Sequence, residues 1–165
     1  MAVRHRSDLA PSAIAGRSAI TRVTPDVIAT STLVIETAGQ GFTELTREAA
    51  RFLAEAGAKE GALQLFVRHT SASLVIQENA DPDVQTDLLT ALERIAPTDA
   101  RWVHDAEGPD DMPAHVKAMV TGVSLQVPVI DGKLALGTWQ GLYLVEHRAR
   151  PHRREVVLQF IGSRR

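Results

Sequence analysis

The stretch Leu63-Gln64-Leu65-Phe66-Val67-Arg68-His69-Thr70-Ser71-Ala72-Ser73-Leu74-Val75-Ile76-Gln77-Glu78 decides the fold class. Leu63, Leu65, Val67 and His69 share one face of a period-two segment, and Leu74, Ile76 and Glu78 share one face of the next. Two strands joined by a short polar turn follow. Upstream, Thr32-Leu-Val-Ile-Glu-Thr37 is rich in β-branched residues and stops at Gly39-Gln-Gly41, so it is read as another strand. Leu45, Ala49, Phe52, Leu53 and Ala56 then recur at helical spacing, with Thr43 placed as the N-terminal cap and Gly57 as the stop.

Downstream, Asp81-Pro82 opens a second helix, because proline at the first helical position loses no hydrogen bond and Asp81 accepts one from the orphan amides. Its buried stripe is Val84, Leu88, Leu89, Leu92 and Ile95. Residues 97–112 read as an irregular connection rich in Asp, Gly and Pro, followed by a short helix from Pro113 to Val120 that ends at Gly122. Three β segments close the chain: 124–130, then 133–147 after an Asp131-Gly132 turn and bending at Gly137 or Gly141, and 154–161. This order predicts an α+β fold with an antiparallel or mixed sheet and helices on one face. Val127, Val129, Tyr143 and Val145 fall on the other face, too apolar for water, so the pattern predicts an oligomer.

The chain has 165 residues and 44% apolar content, enough for one domain at 17–165 behind an N-terminal tail at 1–16. Eighteen basic against 20 acidic residues give a net charge of −2, which supplies no global field toward nucleic acid or acidic membrane. No cysteine is present, which excludes disulfides and thiolate chemistry and suits a cytoplasmic setting. Apolar runs are too short to span a bilayer, for which about 20 residues are needed. No membrane partner is expected.

Four residues draw attention to chemistry. His69 lies at the edge of the core, where an imidazole needs a defined partner. Glu78 continues a core face, and a carboxylate there is paired, protonated or a ligand; a salt bridge with an arginine satisfies it as well as a functional role does. His104 and His115 flank a loop containing Asp105, Glu107, Gly108, Asp110 and Asp111; eleven residues apart, they match no i, i+4 zinc motif. Together, three histidines and a carboxylate make a facial site for a divalent metal, zinc or magnesium, with His69, His104 and His115 as ligands. They serve equally as acid and base groups without metal. No organic cofactor is expected.

The hydroxyls of Thr70, Ser71 and Ser73 can hold a phosphate or carboxylate, or simply satisfy their own turn. Asp81 is a cap. On the late strand Gln140, Leu142, Leu144 and Glu146 share a face, polar at the rim and apolar between, and Trp139 reads as core. Arg148, Arg150, Arg153 and Arg154, with His147 and His152, surround Pro151 as a solvated turn or an anion clamp. Without interleaved aromatics this cluster argues weakly for nucleic acid.

His69-Thr70-Ser71-Ala72-Ser73, Glu78-Asn79 with Asp81-Pro82, Asp87, His104, His115, Gly137-Thr138-Trp139-Gln140-Gly141 and Glu146-His147-Arg148 resemble, in order, the YjbQ-like family, over about residues 30–162. The resemblance implies an α+β sandwich forming a homotrimer with pockets near subunit boundaries. It implies a weak thiamine-phosphate synthase activity, a transferase reaction on a phosphorylated small molecule; a non-catalytic trimeric metal- or ligand-binding protein is the alternative. Carried over, His69, Glu78, His104 and His115 line the catalytic pocket. Thr70, Ser71, Ser73, Asn79 and Arg148 meet the anionic substrate, and Gln140 with Glu146 complete the wall. One stretch departs: relatives carry glycines after Glu-His-Arg, whereas this chain has Arg148-Ala149-Arg150-Pro151-His152.

Overall fold

A computed structural model describes residues 16–165. The expected tail at 1–16 therefore lies, except for its last residue, outside the described residues. In chain order the elements are β1 (Val27–Thr37), β2 (Gly41–Glu44), α1 (Thr46–Glu55), β3 (Ala58–Val67), β4 (Ala72–Glu78), α2 (Pro82–Ile95), α3 (Asp111–Thr121), β5 (Ser124–Ile130), β6 (Lys133–Leu134), β7 (Gln140–Glu146) and β8 (His152–Arg164). The strands form a five-stranded sheet, β1-β8-β3-β5-β6, and a three-stranded sheet, β2-β7-β4, with antiparallel pairing throughout.

The two strands of the deciding stretch are real, but they belong to different sheets. β3 pairs with β5 and β8, whereas β4 pairs with β7, so the polar turn at 68–71 carries the chain across the sandwich. The core lies between the sheets. Leu63, Leu65 and Val67 of β3 and Val156, Leu158 and Phe160 of β8 meet Leu74 of β4 and Leu142 and Leu144 of β7, with Ala49 and Leu53 of α1 inserted among them. Alternation supplies this face in every strand, as period-two patterning requires.

Several boundaries differ from expectation for local reasons. Thr43 is not a helix cap but part of β2, because residues 41–44 pair with β7 and the Leu45 amide bonds to the Leu142 carbonyl. The expected long strand at 133–147 is two strands in two sheets. After β6 the chain leaves the first sheet, turns at Gly137, whose amide donates to Gln140 Oε1, and enters the second sheet as β7. Trp139, expected in the core, stands 64% exposed on that turn, and Ile95 at the end of α2 is exposed too. α3 begins two residues earlier than read, at Asp111. The β5–β6 turn does fall at Asp131-Gly132, both with positive φ (49° and 76°), as a two-residue hairpin needs. Asp81 caps α2, accepting from the Asp83 amide at 2.9 Å.

The predicted uncovered face is also corrected. Val127 and Val129 point into the core, and Tyr143 and Val145 are buried on the outer side of the three-stranded sheet. There α2 and α3 cover them: Phe42, Val75 and Val145 face Leu88, Leu92 and Thr121. The face that none of the described elements covers belongs to the five-stranded sheet, with Ile28, Phe66, Ile130 and Ile161 exposed on it. No described helix is long and apolar enough to cross a membrane.

Leu158, with no exposed surface, sits on β8 between β1 and β3 and faces the inter-sheet core. Replacing it, Leu158→Ala, is expected to lower the unfolding free energy in urea by about 2–5 kcal/mol through lost burial and a residual cavity. A loss within about 0.5 kcal/mol, the range of ordinary surface changes, would contradict the placement.

Candidate functional site

One end of the sandwich, where β3 turns into β4 and β7 runs out toward β8, gathers the polar side chains. Its organising bond is ionic. Arg154 of β8 donates through Nε and Nη2 to the two carboxylate oxygens of Glu146 of β7, both at 2.6 Å, and each partner is buried. Thr37 of β1 adds a third bond, Oγ1 to Glu146 Oε2 at 3.0 Å, and the Arg148 amide a fourth. Burial would raise the Glu146 pKa, but the bonds from Arg154, the Arg148 amide and Thr37 outweigh it and hold the carboxyl below its ordinary value. Both charges are therefore present and matched, which a buried pair requires.

The pair leads outward to His69. Arg154 Nη2 also donates to Ser71 Oγ at 3.1 Å, and Ser71 Oγ lies 3.0 Å from His69 Nδ1. The Ser71 amide donates to the same nitrogen at 3.1 Å. A backbone N–H can only donate, so Nδ1 is an acceptor and the neutral ring carries its proton on Nε2. Desolvation, then Arg154, lowers the His69 pKa and favours that neutral form. In this state neither ring nitrogen offers a free lone pair to a metal.

His104, Asp111 and His115 make the compact cluster instead, each offering a ligand atom within 4.8 Å of the others. Asp111 and His115 are one turn apart at the start of α3, and the irregular segment before the helix brings His104 Nε2 to 2.8 Å from Asp111 Oδ2. His115 Nε2 lies 3.6 Å from the same oxygen. His115 Nδ1 donates to the Thr70 carbonyl at 3.1 Å, which leaves Nε2 as the lone pair facing the cluster. A ligating histidine is oriented in this way by its second nitrogen. Asp111 is fixed from behind: Arg148 Nη1 bonds its Oδ1, Arg148 Nε bonds Asp110 Oδ2 at 3.1 Å, and Nη2 bonds the Glu107 carbonyl at 2.8 Å. Two histidines and one carboxylate with a solvent-facing side form a three-ligand set open to a further ligand.

The remaining expected residues fall elsewhere. Ser73 is fully buried, its Oγ 2.9 Å from His147 Nε2, and Ser71 is occupied by Arg154 and His69, so neither hydroxyl is free for an anion. Thr70 is exposed and contributes its carbonyl to His115. Arg148 and Glu146 are committed to internal partners, not to a ligand. Glu78 stands at the opposite end of β4, five residues beyond Ser73 or about 16 Å at about 3.3 Å per residue. Asn79 and Gln140 accompany it, Asn79 Nδ2 reaching the Gln140 carbonyl at 3.5 Å. Within one chain, then, His69, His104 and His115 gather at one end and Glu78, Asn79 and Gln140 do not join them. Sequence reasoning named Asp111 only as a loop residue, and Arg154 and His147 only within the basic cluster, so it missed the ligand position of the first and the burial of the other two. The Asp111–His115 spacing of four on one helical face was the available signal for the first.

The fold and site define an α+β two-sheet sandwich that carries a surface His–His–Asp cluster braced by buried arginines. Comparison with known proteins supplies the particular family. The family described as UPF0047 protein YjbQ-like matches residues 31–163, and the chain belongs to it. A UPF0047 protein of Synechocystis sp. is 48% identical over 132 residues, covering 79% of this chain and 90% of its own. The UPF0047 protein YjbQ of Escherichia coli O157:H7 is 39% identical over 133 residues, covering 80% and 96%. The crystal structure of a yjbq/upf0047 family protein from Clostridium acetobutylicum superposes with a TM-score of 0.75 at 36% identity, covering 79% of this chain and 99% of that one.

His147, next to Glu146, is buried, and its Nδ1 has no hydrogen-bond partner. Desolvation first, then Lys117, lowers its pKa to about 4 from 6.5, so it is neutral in the folded state. The unfolded chain binds this proton more readily, so the contribution is complete above about pH 6.5 and is lost as pH falls toward 4. His147→Gln should therefore flatten the fall of urea stability between pH 7 and pH 4 by about 3 kcal/mol relative to the unsubstituted chain. Parallel profiles would refute the neutral buried imidazole.

Proposed function

We propose that the chain binds a divalent metal, zinc in the first instance, through His104, Asp111 and His115, and acts on a phosphorylated small molecule at that site. The observation that carries the reading is the pre-set geometry of the donors: His115 Nδ1 spent on the Thr70 carbonyl, and Asp111 clamped by Arg148 so that Oδ2 faces both rings. An ordinary surface cluster has no need of such bracing. When bound, the metal would supply a Lewis acid beside a developing oxyanion. The chain's own residues do the rest. Arg148 holds the carboxylate, Thr70 sets the imidazole, and His69 offers an Nε2 proton beside them.

The most concrete form of the reaction is the one implied by resemblance to the YjbQ-like family. An aminopyrimidine diphosphate loses pyrophosphate as its methylene carbon bonds to the nitrogen of a thiazole phosphate, giving thiamine phosphate. A homotrimer belongs to the same reading. It is supported by the exposed Ile28, Phe66, Ile130 and Ile161 on the uncovered sheet, and by the distance of Glu78 from the histidines, which a neighbouring copy would close. A non-catalytic metal-binding trimer is the competing function, and the same donor set serves it.

Purified chain stripped with chelator should take up one zinc per chain by calorimetry, and His115→Ala and Asp111→Asn should each weaken binding at least about tenfold, the lower end of what loss of an orienting partner alone costs. His69→Ala should leave zinc binding within twofold. Equal weakening by His69→Ala, or no binding at all, would end the metal assignment. Pyrophosphate release by the zinc-loaded chain from the two phosphorylated substrates, lost in His115→Ala, would separate enzyme from binding protein; a zinc-loaded chain without release would favour the latter.

The trimer has its own check. Light scattering should give three times the chain mass, and a mixture of Glu78→Ala and His115→Ala chains should regain pyrophosphate release that neither has alone. A monomer would end the trimer reading.

A further inference from the structure

His69 lines two of three adjoining depressions. The first, about 330 Å³, begins at His115 and is mostly apolar, with Ala118, Met119 and Val123 in its wall. The second, about 440 Å³, shares Thr70 and Val123 with it and reaches Arg68 and His69. The third, about 210 Å³, shares Arg68 and His69 with the second and is completed by Arg153, Arg154 and Glu155. Together they form a groove leading from the His–Asp cluster to a basic cleft.

We propose that this basic cleft is an oxyanion subsite, in which the Nη1 group of Arg154 and the Nε2–H of His69 bind one phosphate group of the ligand. The proposal rests on the phosphorylated-ligand reading above and gives that ligand's anion a location. Arg154 is buried to 2% exposure, and two of its nitrogens are spent on Glu146 and Ser71. Nη1 makes no hydrogen bond to any described residue, and Arg154 is part of the lining of the third depression. An arginine held this deeply with one amino group unsatisfied costs stability unless water or a ligand meets that group.

His69 is a donor by construction. Arg154 donates to Ser71 Oγ, so the Ser71 hydroxyl is free to give its own proton to His69 Nδ1, alongside the Ser71 amide. The ring proton must then be on Nε2. The lowered His69 pKa agrees with a neutral donor, and Ser71 positions it without touching the ligand. Donor geometry rather than net charge selects an anion: the guanidiniums of Arg68, Arg153 and Arg154 are matched by the carboxylates of Glu36, Glu146 and Glu155. Glu155 is held between Arg68 Nη1 and Arg153 Nη1, each at 3.0 Å, so its oxygens are directed to the rim. A guanidinium edge and an N–H donor suit the divergent oxygens of a phosphate. The apolar depression at the other end of the groove suits the uncharged body of the same molecule.

The probe is inorganic phosphate, titrated into the full-length chelator-treated chain at pH 8 and low ionic strength, by calorimetry and by imidazole nitrogen NMR. Saturable binding is expected, with the His69 signals of the Nε2–H tautomer shifting as phosphate is added. His69→Ala should weaken binding by about tenfold or more, as expected for losing a hydrogen bond to a charged group. His69→Asn, which restores a donor, should recover part of that loss, and His115→Ala should change it less than twofold. Arg154→Lys tests the guanidinium where circular dichroism shows it folded; the His69 pair decides the matter if it does not fold. No saturable binding, or His115→Ala weakening binding as much as His69→Ala, would overturn the subsite. Zinc titration of the same chains keeps the two readings apart: a chain that binds phosphate but takes up no zinc refutes only the metal assignment, and one that takes up zinc but binds no phosphate refutes only the subsite.

Discussion

The ion pair between Glu146 and Arg154 is the constraint on which this end of the molecule depends. Glu146 is the last residue of a strand in the three-stranded sheet, and Arg154 lies near the start of β8 in the five-stranded one. Their double hydrogen bond therefore pins one sheet to the other where the hydrophobic core gives out. Two buried charges are costly to desolvate, and a hydrophobic pair of similar volume would serve stability at least as well. What an apolar pair could not do is pass direction on. Thr37, the Arg148 amide and Ser71 all take their positions from this pair, and through Ser71 it determines which nitrogen of His69 bears a proton.

A second arginine does comparable work for the other half of the site. Arg148 is two residues beyond Glu146, and its backbone amide is tied to that carboxylate while its side chain spans Glu107, Asp110 and Asp111. The irregular segment before α3 is thereby fastened to the edge of the sandwich. Without that clamp, Asp111 at the first turn of a helix would be one acidic residue among several in a polar loop. With it, one oxygen is consumed and the other is presented to His104 and His115. The two arginines, one in the β7–β8 connection and one near the start of β8, thus set up two differently prepared places on the surface, one gathering two imidazoles and a carboxylate and one rich in N–H donors.

Much of the fold was legible because alternation is a local signal. Leu63, Leu65 and Val67, and likewise Leu74, reveal their inward face from sequence alone, and Asp81-Pro82 announces a helix start by chemistry that needs no tertiary context. Sheet membership is not local. Nothing in 68–71 or in 135–139 states that the chain crosses from one sheet to the other, and this is why 133–147 read as a single bent strand and why Val127 and Tyr143 were assigned to one uncovered face. They lie in different sheets, and each is covered by a different layer.

The site shows the same division. The histidines could be picked out because imidazoles at element ends are conspicuous, but the partner of each depends on burial that composition does not reveal. Ser71 and Ser73 looked like hydroxyls available to an anion; both are fully enclosed, one under Arg154 and His69 and the other against His147. Arg154 looked like one of several solvated cations, yet among the arginines of its cluster it is the most deeply buried. The spacing rule that found no compact motif between His104 and His115, which were kept as ligands only together with His69, was applied to histidines only. Asp111 and His115 satisfy it, since residues four apart on a helix share a face, and the chain then needs only one loop residue, His104, to complete three ligands. A search for i, i+4 pairs that admits carboxylates would have reached the cluster from the sequence. The Arg148 brace, which distinguishes the cluster from an incidental one, comes from a part of the chain 37 residues away and could only be seen in three dimensions.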